Sequence, residues 1–215
     1  MNIYSDKMNE LIIESKGIKT DHYFIPPFEL REGELVIIYL EGGVHFNDLK
    51  EQLVAIFEGK AHHENVNVIK SLTFAAPIEE SVLKRIFNPM SVGGYLKRNA
   101  DLKKSVPRIF EGDNFTKKDK IKKLDTSERK RLSLCAVFSK TKYVSFDLRG
   151  EGAAYFNKTY QFAKDEIKND NAAILIDWSN ELKNDCSRFI TIEWLADSEE
   201  LKNVFKNGRK LSPMY

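Results

Sequence analysis

The chain has 215 residues, 42% of them hydrophobic and 31% charged, which is enough to bury a core and ordinary for a globular domain. With 34 basic against 32 acidic residues the net charge is only +2, so overall electrostatics favour neither nucleic acid nor anionic lipid, and any such role must rest on a local cluster. No apolar run approaches the roughly 20 residues of a membrane helix.

Residues 1–15 lack the apolar region of a signal peptide, and Cys135 and Cys186 have no CxxC spacing. A cytoplasmic, reducing setting with two core thiols is therefore expected. Residues 11–15 (LIIES) and 34–40 (ELVIIYL) are rich in β-branched side chains and predict strands, with Pro26-Pro27 and Glu32-Gly33 supplying turns between them. From 49 to 57 the apolar residues fall at 49, 53, 54, 56 and 57, a helical spacing closed by Gly59 as C-cap. His62 and His63 are adjacent, so their rings diverge, and no spaced partner accompanies them. Exposed loop histidines are expected there, with no metal site.

Residues 71–76 (SLTFAA) predict a further strand, and Pro89 and Gly93-Gly94 interrupt the chain before a helix start. Residues 97–123 are polar and irregular. Lys117, Lys118, Lys120, Lys122, Lys123, Arg129, Lys130 and Arg131 form the one basic cluster. Acidic residues interrupt it and only Phe115 is near, so a solvated face is expected rather than a nucleic-acid patch. Downstream, 143–147 reads as an apolar strand ending in Asp147, 155–167 as an amphipathic helix, and 172–177 and 188–192 as strands. His45 and the cysteines form no triad-like arrangement.

The stretch 124–148, LDTSERKRLSLCAVFSKTKYVSFDL, is the most specific. Its run from Glu128 to Leu134, followed by a short linker and the strand ending at Asp147, resembles the ATP-binding cassette (ABC) ATPases. In that family a signature such as LSGGERQRLALA opens a helix, and a buried strand then ends in Asp-Glu. FELREGELVIIYLEGG, at residues 28–43, resembles the family's strand and turn leading to the phosphate loop, and FNPMSVGGYLKR resembles the phrase opening its helical subdomain. The resemblance runs by order of elements from about Leu11 to Phe205. It implies an α/β, P-loop NTPase-like (RecA-like) fold: a mostly parallel sheet core, an antiparallel β subdomain and a small α-helical subdomain. One domain would span 1–215, with the helical part inserted at approximately 78–135.

The resemblance also locates what is missing. Aligning Gly59 with the glycine that ends the family's first helix puts Lys50 on the Walker A lysine, but Leu49 precedes it and Glu51 and Gln52 follow, so the GxxxxGK[ST] pattern is absent. Asp125-Thr126-Ser127 stand in place of Ser-Gly-Gly and would set a carboxylate where phosphate sits. Asp147 matches the Mg²⁺-directed aspartate. The catalytic glutamate position is Leu148, which cannot orient water. Ala76-Pro77, Ala154 and Trp178 fall where the family has its glutamine, its D-loop aspartate and its histidine switch. Lys50 and Asp147 are thus vestigial cofactor-binding residues, expected to form a salt bridge with each other; no catalytic residues, cofactor or metal are expected.

The function implied is that of a non-catalytic ABC-ATPase-like subunit. It would act as a scaffold on a membrane permease, with another cassette subunit or as a homodimer, peripheral at the inner face of the membrane through such partners. Two alternatives stand beside it: a divergent ATPase using Lys50 and Asp147 with a base such as Glu151, and a nucleic-acid-binding module built on the basic cluster.

Overall fold

The computed structural model describes residues 9–43, 45–103, 109–110, 115–168, 170–196 and 214. Five strands open the chain: β1 (Leu11–Ser15), β2 (Ile18–Lys19), β3 (Tyr23–Ile25), β4 (Phe28–Arg31) and β5 (Leu35–Tyr39). Helix α1 (Phe46–Phe57) follows, then β6 (Val66–Val68), β7 (Thr73–Phe74), α2 (Val82–Phe87) and α3 (Val92–Asn99). After a 3-10 turn at Ile121–Lys123 come α4 (Thr126–Phe138), β8 (Tyr143–Phe146), α5 (Ala153–Ile167), β9 (Ala172–Asp177), β10 (Arg188–Thr191) and β11 (Glu193–Trp194).

A five-stranded sheet in the order β10-β5-β9-β8-β7, parallel throughout, forms the centre. Parallel strands covered on both faces must be apolar along their whole length, and β9 is buried at all six positions. Alternate residues feed two different cores. Val36, Ile38, Ile174 and Ile176 face the first, with α1 and the antiparallel strands; Leu35, Ile37, Ala173 and Leu175 face the second, with Phe156, Tyr160 and Ala163 of α5. The antiparallel portion comprises two small sheets, β4-β1-β6 and β11-β3-β2. The expected α/β class, with its parallel core and added antiparallel β, is what the chain adopts.

Two boundaries differ from expectation, one for a local reason and one because of strand pairing. The first helix begins at Phe46, three residues before the apolar spacing does, because Asn47 and Asp48 suit a helix N-terminus. Gly59 takes φ +71 just after it, as a left-handed cap requires. The expected strand at 71–76 shrinks to Thr73–Phe74 on the sheet edge, although Ala75 N still donates to Ser145 O at 2.8 Å. The closing segment from 197 to 205 lies outside the described residues.

A third apolar cluster gathers Ile78, Val92, Leu96, Ile121 and Leu124 around Leu132, Cys135 and Ala136 of α4. It joins the helical elements to one another, and α4 carries them against the sheet. Leu175 is fully buried in the central strand. Leu175→Ala is expected to cost about 2–5 kcal/mol in urea denaturation, the range for cavity formation at a closely packed site; a loss within error of zero would contradict the packing described.

Candidate functional site

The carboxyl ends of β5, β8 and β9 bring their following loops together, the usual place for a site in a parallel sheet. Asp147 directly follows β8, and its side chain is only 3% exposed. Two amines converge on it. Lys50, from the second turn of α1, places Nζ 3.0 Å from Oδ2. Lys130, from α4, donates to Oδ1 and also, at 3.0 Å, to the backbone carbonyl of the same residue. One ammonium thus spends two of its three hydrogens on residue 147. The Lys130 side chain is 5% exposed and that of Lys50 16%. Burial pushes the Asp147 carboxyl up, but the charges and hydrogen bonds of Lys130 and then Lys50 outweigh it and hold the group below its ordinary range.

The structure therefore brings Lys50 and Asp147 into contact. Lys50 rises from inside α1 rather than from the loop before it, so it differs in placement from a lysine at the head of a phosphate-binding helix. Around the first turn of α1, Arg149 bonds the Asn47 side-chain oxygen, and its guanidinium lies 5.7 Å from the ring centres of both Phe46 and Trp178. The Trp178 indole packs on Gly42, where an added Cβ would approach it to 3.2 Å. His45 Nε2 donates to Glu41 O at 2.9 Å, and its ring meets Trp194 edge-on at 4.5 Å. Burial lowers the His45 pKa, against the opposing pull of the Glu41 carbonyl.

Two further carboxylates complete the surroundings. Asp177, at the end of β9, is 1% exposed and accepts from Trp178 N (2.5 Å), Ser179 N (3.2 Å) and Leu148 N (3.1 Å). It ties the loops after β8 and β9 together. Burial still raises its pKa despite those amides, with the nearby Asp147 adding to the rise. Glu151 accepts from Thr159 Oγ1 at 2.8 Å through one oxygen, while the other is buried without a hydrogen-bond partner. Burial raises its pKa too, opposed by Thr159, Lys130, Ser127 and Arg131. Leu148 is 2% exposed and packs into the second core.

Several expectations change here. Asp125 is the N-cap of α4, accepting from Glu128 N at 2.8 Å while Glu128 returns a bond to Asp125 N, so its carboxylate is committed to a capping box. The basic cluster is divided: Lys117, Lys118, Lys122 and Lys123 are exposed, whereas Lys130 and Arg131 are buried because α4 packs between the helical cluster and the sheet. His63 is buried rather than exposed, its Nδ1 accepting from Asn65 N at 3.0 Å. Cys135 is buried, as expected of a core thiol, and its pKa is pushed up to about 12; Cys186 is only partly covered. Residue 154 falls in the first turn of α5. Sequence reasoning missed Lys130 and Asp177. The only available signal for Lys130 was its i, i+3 and i+7 relation to Ser127 and Leu134 on one helical face.

Among the described residues no group of three or more His, Cys, Asp or Glu side chains is arranged to hold a metal. Neither a family model nor a curated protein matches the sequence. Solved structures do match. A metal-chelate-type ABC transporter in an inward-facing conformation superposes with TM-score 0.63 at 14% identity, over 92% of this chain and 90% of that one. The fold is that of the ABC-type ATPases. An ABC transporter ATP-binding protein from Pyrococcus furiosus gives TM-score 0.63 at 14% identity over 85% of this chain and 97% of its own. CbiO1 from Clostridium perfringens, part of the cbiONQ transporter complex, gives 0.61 at 14% over 93% and 92%. On this ABC-type scaffold, Asp147 lies at the end of a central strand, and α1 follows the neighbouring strand but one.

Two outcomes test the electrostatics. Asp147→Asn leaves two amines without their anion and is expected to destabilise by about 3–5 kcal/mol at neutral pH, as breaking buried pairs does; denaturation midpoints within error of each other would refute it. Asp147, with its lowered pKa, stabilises the fold above the ordinary carboxylate range, and that contribution is lost as pH falls through the native value. Glu151 has the opposite sign: its raised pKa makes ionisation costly once pH exceeds the unfolded value. Glu151→Gln should therefore raise the thermal midpoint at neutral pH, with the gain vanishing below about pH 4; a gain that persists in acid would contradict the assignment.

Proposed function

We propose that this chain is a non-catalytic ABC-ATPase-like subunit that works by protein contact, docking on a transporter-type permease or pairing with another cassette subunit. The observation that carries this reading is the double engagement of Asp147. Both of its carboxylate oxygens are taken by Lys50 and Lys130, so an incoming divalent cation would have to displace two amines. The neighbouring residues do not fit a magnesium nucleotide held in the P-loop manner. The first turn of α1 carries Phe46, Asn47 and Asp48, Arg149 is stacked over Phe46 and Trp178, and Leu148 offers no base. Relatives in fold include subunits of transporter complexes, which supports the partner class. No helix among the described residues is long and apolar enough to cross a membrane.

Glu151 favours a second reading, a divergent ATPase. It lies four residues beyond Asp147, with a buried unpartnered oxygen and a raised pKa, the properties of a poised general base. Burial of Lys130 and Arg131 leaves a smaller basic surface for a nucleic-acid module.

Titration of the purified chain with Mg-ATP by calorimetry, together with phosphate release, separates the two. The scaffold reading expects neither saturable binding in the micromolar range nor turnover. Turnover abolished by Glu151→Gln would replace it with the ATPase reading.

A further inference from the structure

The segments flanking α2 and one face of α3 bound a cleft of about 530 Å³, a volume ordinary for a small-molecule site. Charges of both signs line it. Glu79 and Glu80 come from the segment before α2, Arg98 from the last turn of α3, and Lys120 from the loop that precedes the 3-10 turn. None of these four side chains belongs to an ion pair among the described residues, so the acidic and basic groups share one cavity without neutralising each other.

The positions of the charges are fixed by backbone contacts. Val92 N donates to Asp119 O at 2.9 Å and Gly93 N to Lys117 O at 2.8 Å, which seats the loop bearing Lys120 on the start of α3. Gly93 permits this approach, since an added Cβ would stand 3.0 Å from Lys117 O. Gly94 N is taken by Ser91 Oγ, the helix cap. The first-turn amides of α3 are thus occupied, and an anion in the cleft would be held by Arg98 and Lys120 rather than by the helix end. Across the α2 segment, Glu80 accepts from Met90 N at 2.8 Å through Oε1, while Oε2 is buried without a hydrogen-bond partner. A buried acceptor left in that state is costly. The terminal torsion of a glutamate is broad, so a small turn of the carboxylate presents that oxygen to a donor inside the cleft.

We propose that this cleft binds a small zwitterion of the amino-acid or short-peptide class, its ammonium group on Glu79 and Glu80 and its carboxylate on Arg98 and Lys120. A purely cationic or purely anionic ligand would leave one pair of charges unmatched, whereas a molecule carrying both satisfies all four. Such binding does not depend on whether the chain hydrolyses ATP.

The probes are dialanine with free termini, N-acetyl-dialanine, which lacks the ammonium, and dialanine amide, which lacks the carboxylate. Titrated into the full chain and followed by amide chemical shifts, free dialanine is expected to saturate with a Kd of about 1 mM or below. The shifts should centre on Met90, Gly94 and Lys120, and each blocked peptide should bind at least about tenfold more weakly. Glu79→Gln with Glu80→Gln keeps an acceptor for Met90 N and should abolish discrimination against the acetylated peptide; Arg98→Gln with Lys120→Gln should abolish discrimination against the amide. Unchanged thermal midpoints verify that both variants fold. No saturation by about 10 mM, equal affinity for the three peptides, shifts centred elsewhere, or discrimination that survives the matching variant overturns the proposal.

Discussion

Asp147 ties two helices to the carboxyl end of a central strand. Lys50 reaches it from α1 and Lys130 from α4, and the Asp147 main-chain carbonyl is bound by the same Lys130 amine. One anion between two cations, nearly out of contact with water, is stable only when geometry and hydrogen bonding are both satisfied. Here the bonds of the two amines to both carboxylate oxygens and to the main-chain carbonyl supply that condition. The orientation of α4 against the central sheet is thereby fixed by charge as well as by the packing of Leu134 and Phe138.

This arrangement explains how an ABC-type fold can keep its strands while its central aspartate is engaged internally. The apolar strands are constrained by burial on both faces, and any polar replacement there would be felt at once. The loops at their carboxyl ends carry no such constraint. Arg149, Trp178 and Phe46 form a cation and aromatic cluster at the start of α1, and Gly42 gives the indole room to lie flat on the backbone. Asp125 is likewise absorbed into local structure as a helix cap.

The helical part stands in contrast. Its inner side is a small apolar cluster of its own, but α2 sends its large side chains outward, next to a cleft containing a buried, unpaired carboxylate oxygen. The cleft carries both signs of charge, with Arg98 and Lys120 lining it beside Glu79 and Glu80.

The sequence by itself determined the strands and their class. LIIES and AAILID are legible because β-branched runs bounded by turns leave no other conformation that buries them, and the α/β order followed. It also pointed to Lys50 and Asp147 as partners. Tertiary structure alone decided that Lys130 joins them and that Arg131 and His63 are buried. In sequence Lys130 is one of several lysines and arginines in a basic run, and a run of like charges reads as solvated. Which member turns inward depends on the angle at which α4 meets the sheet, a quantity set by side chains far apart in the chain.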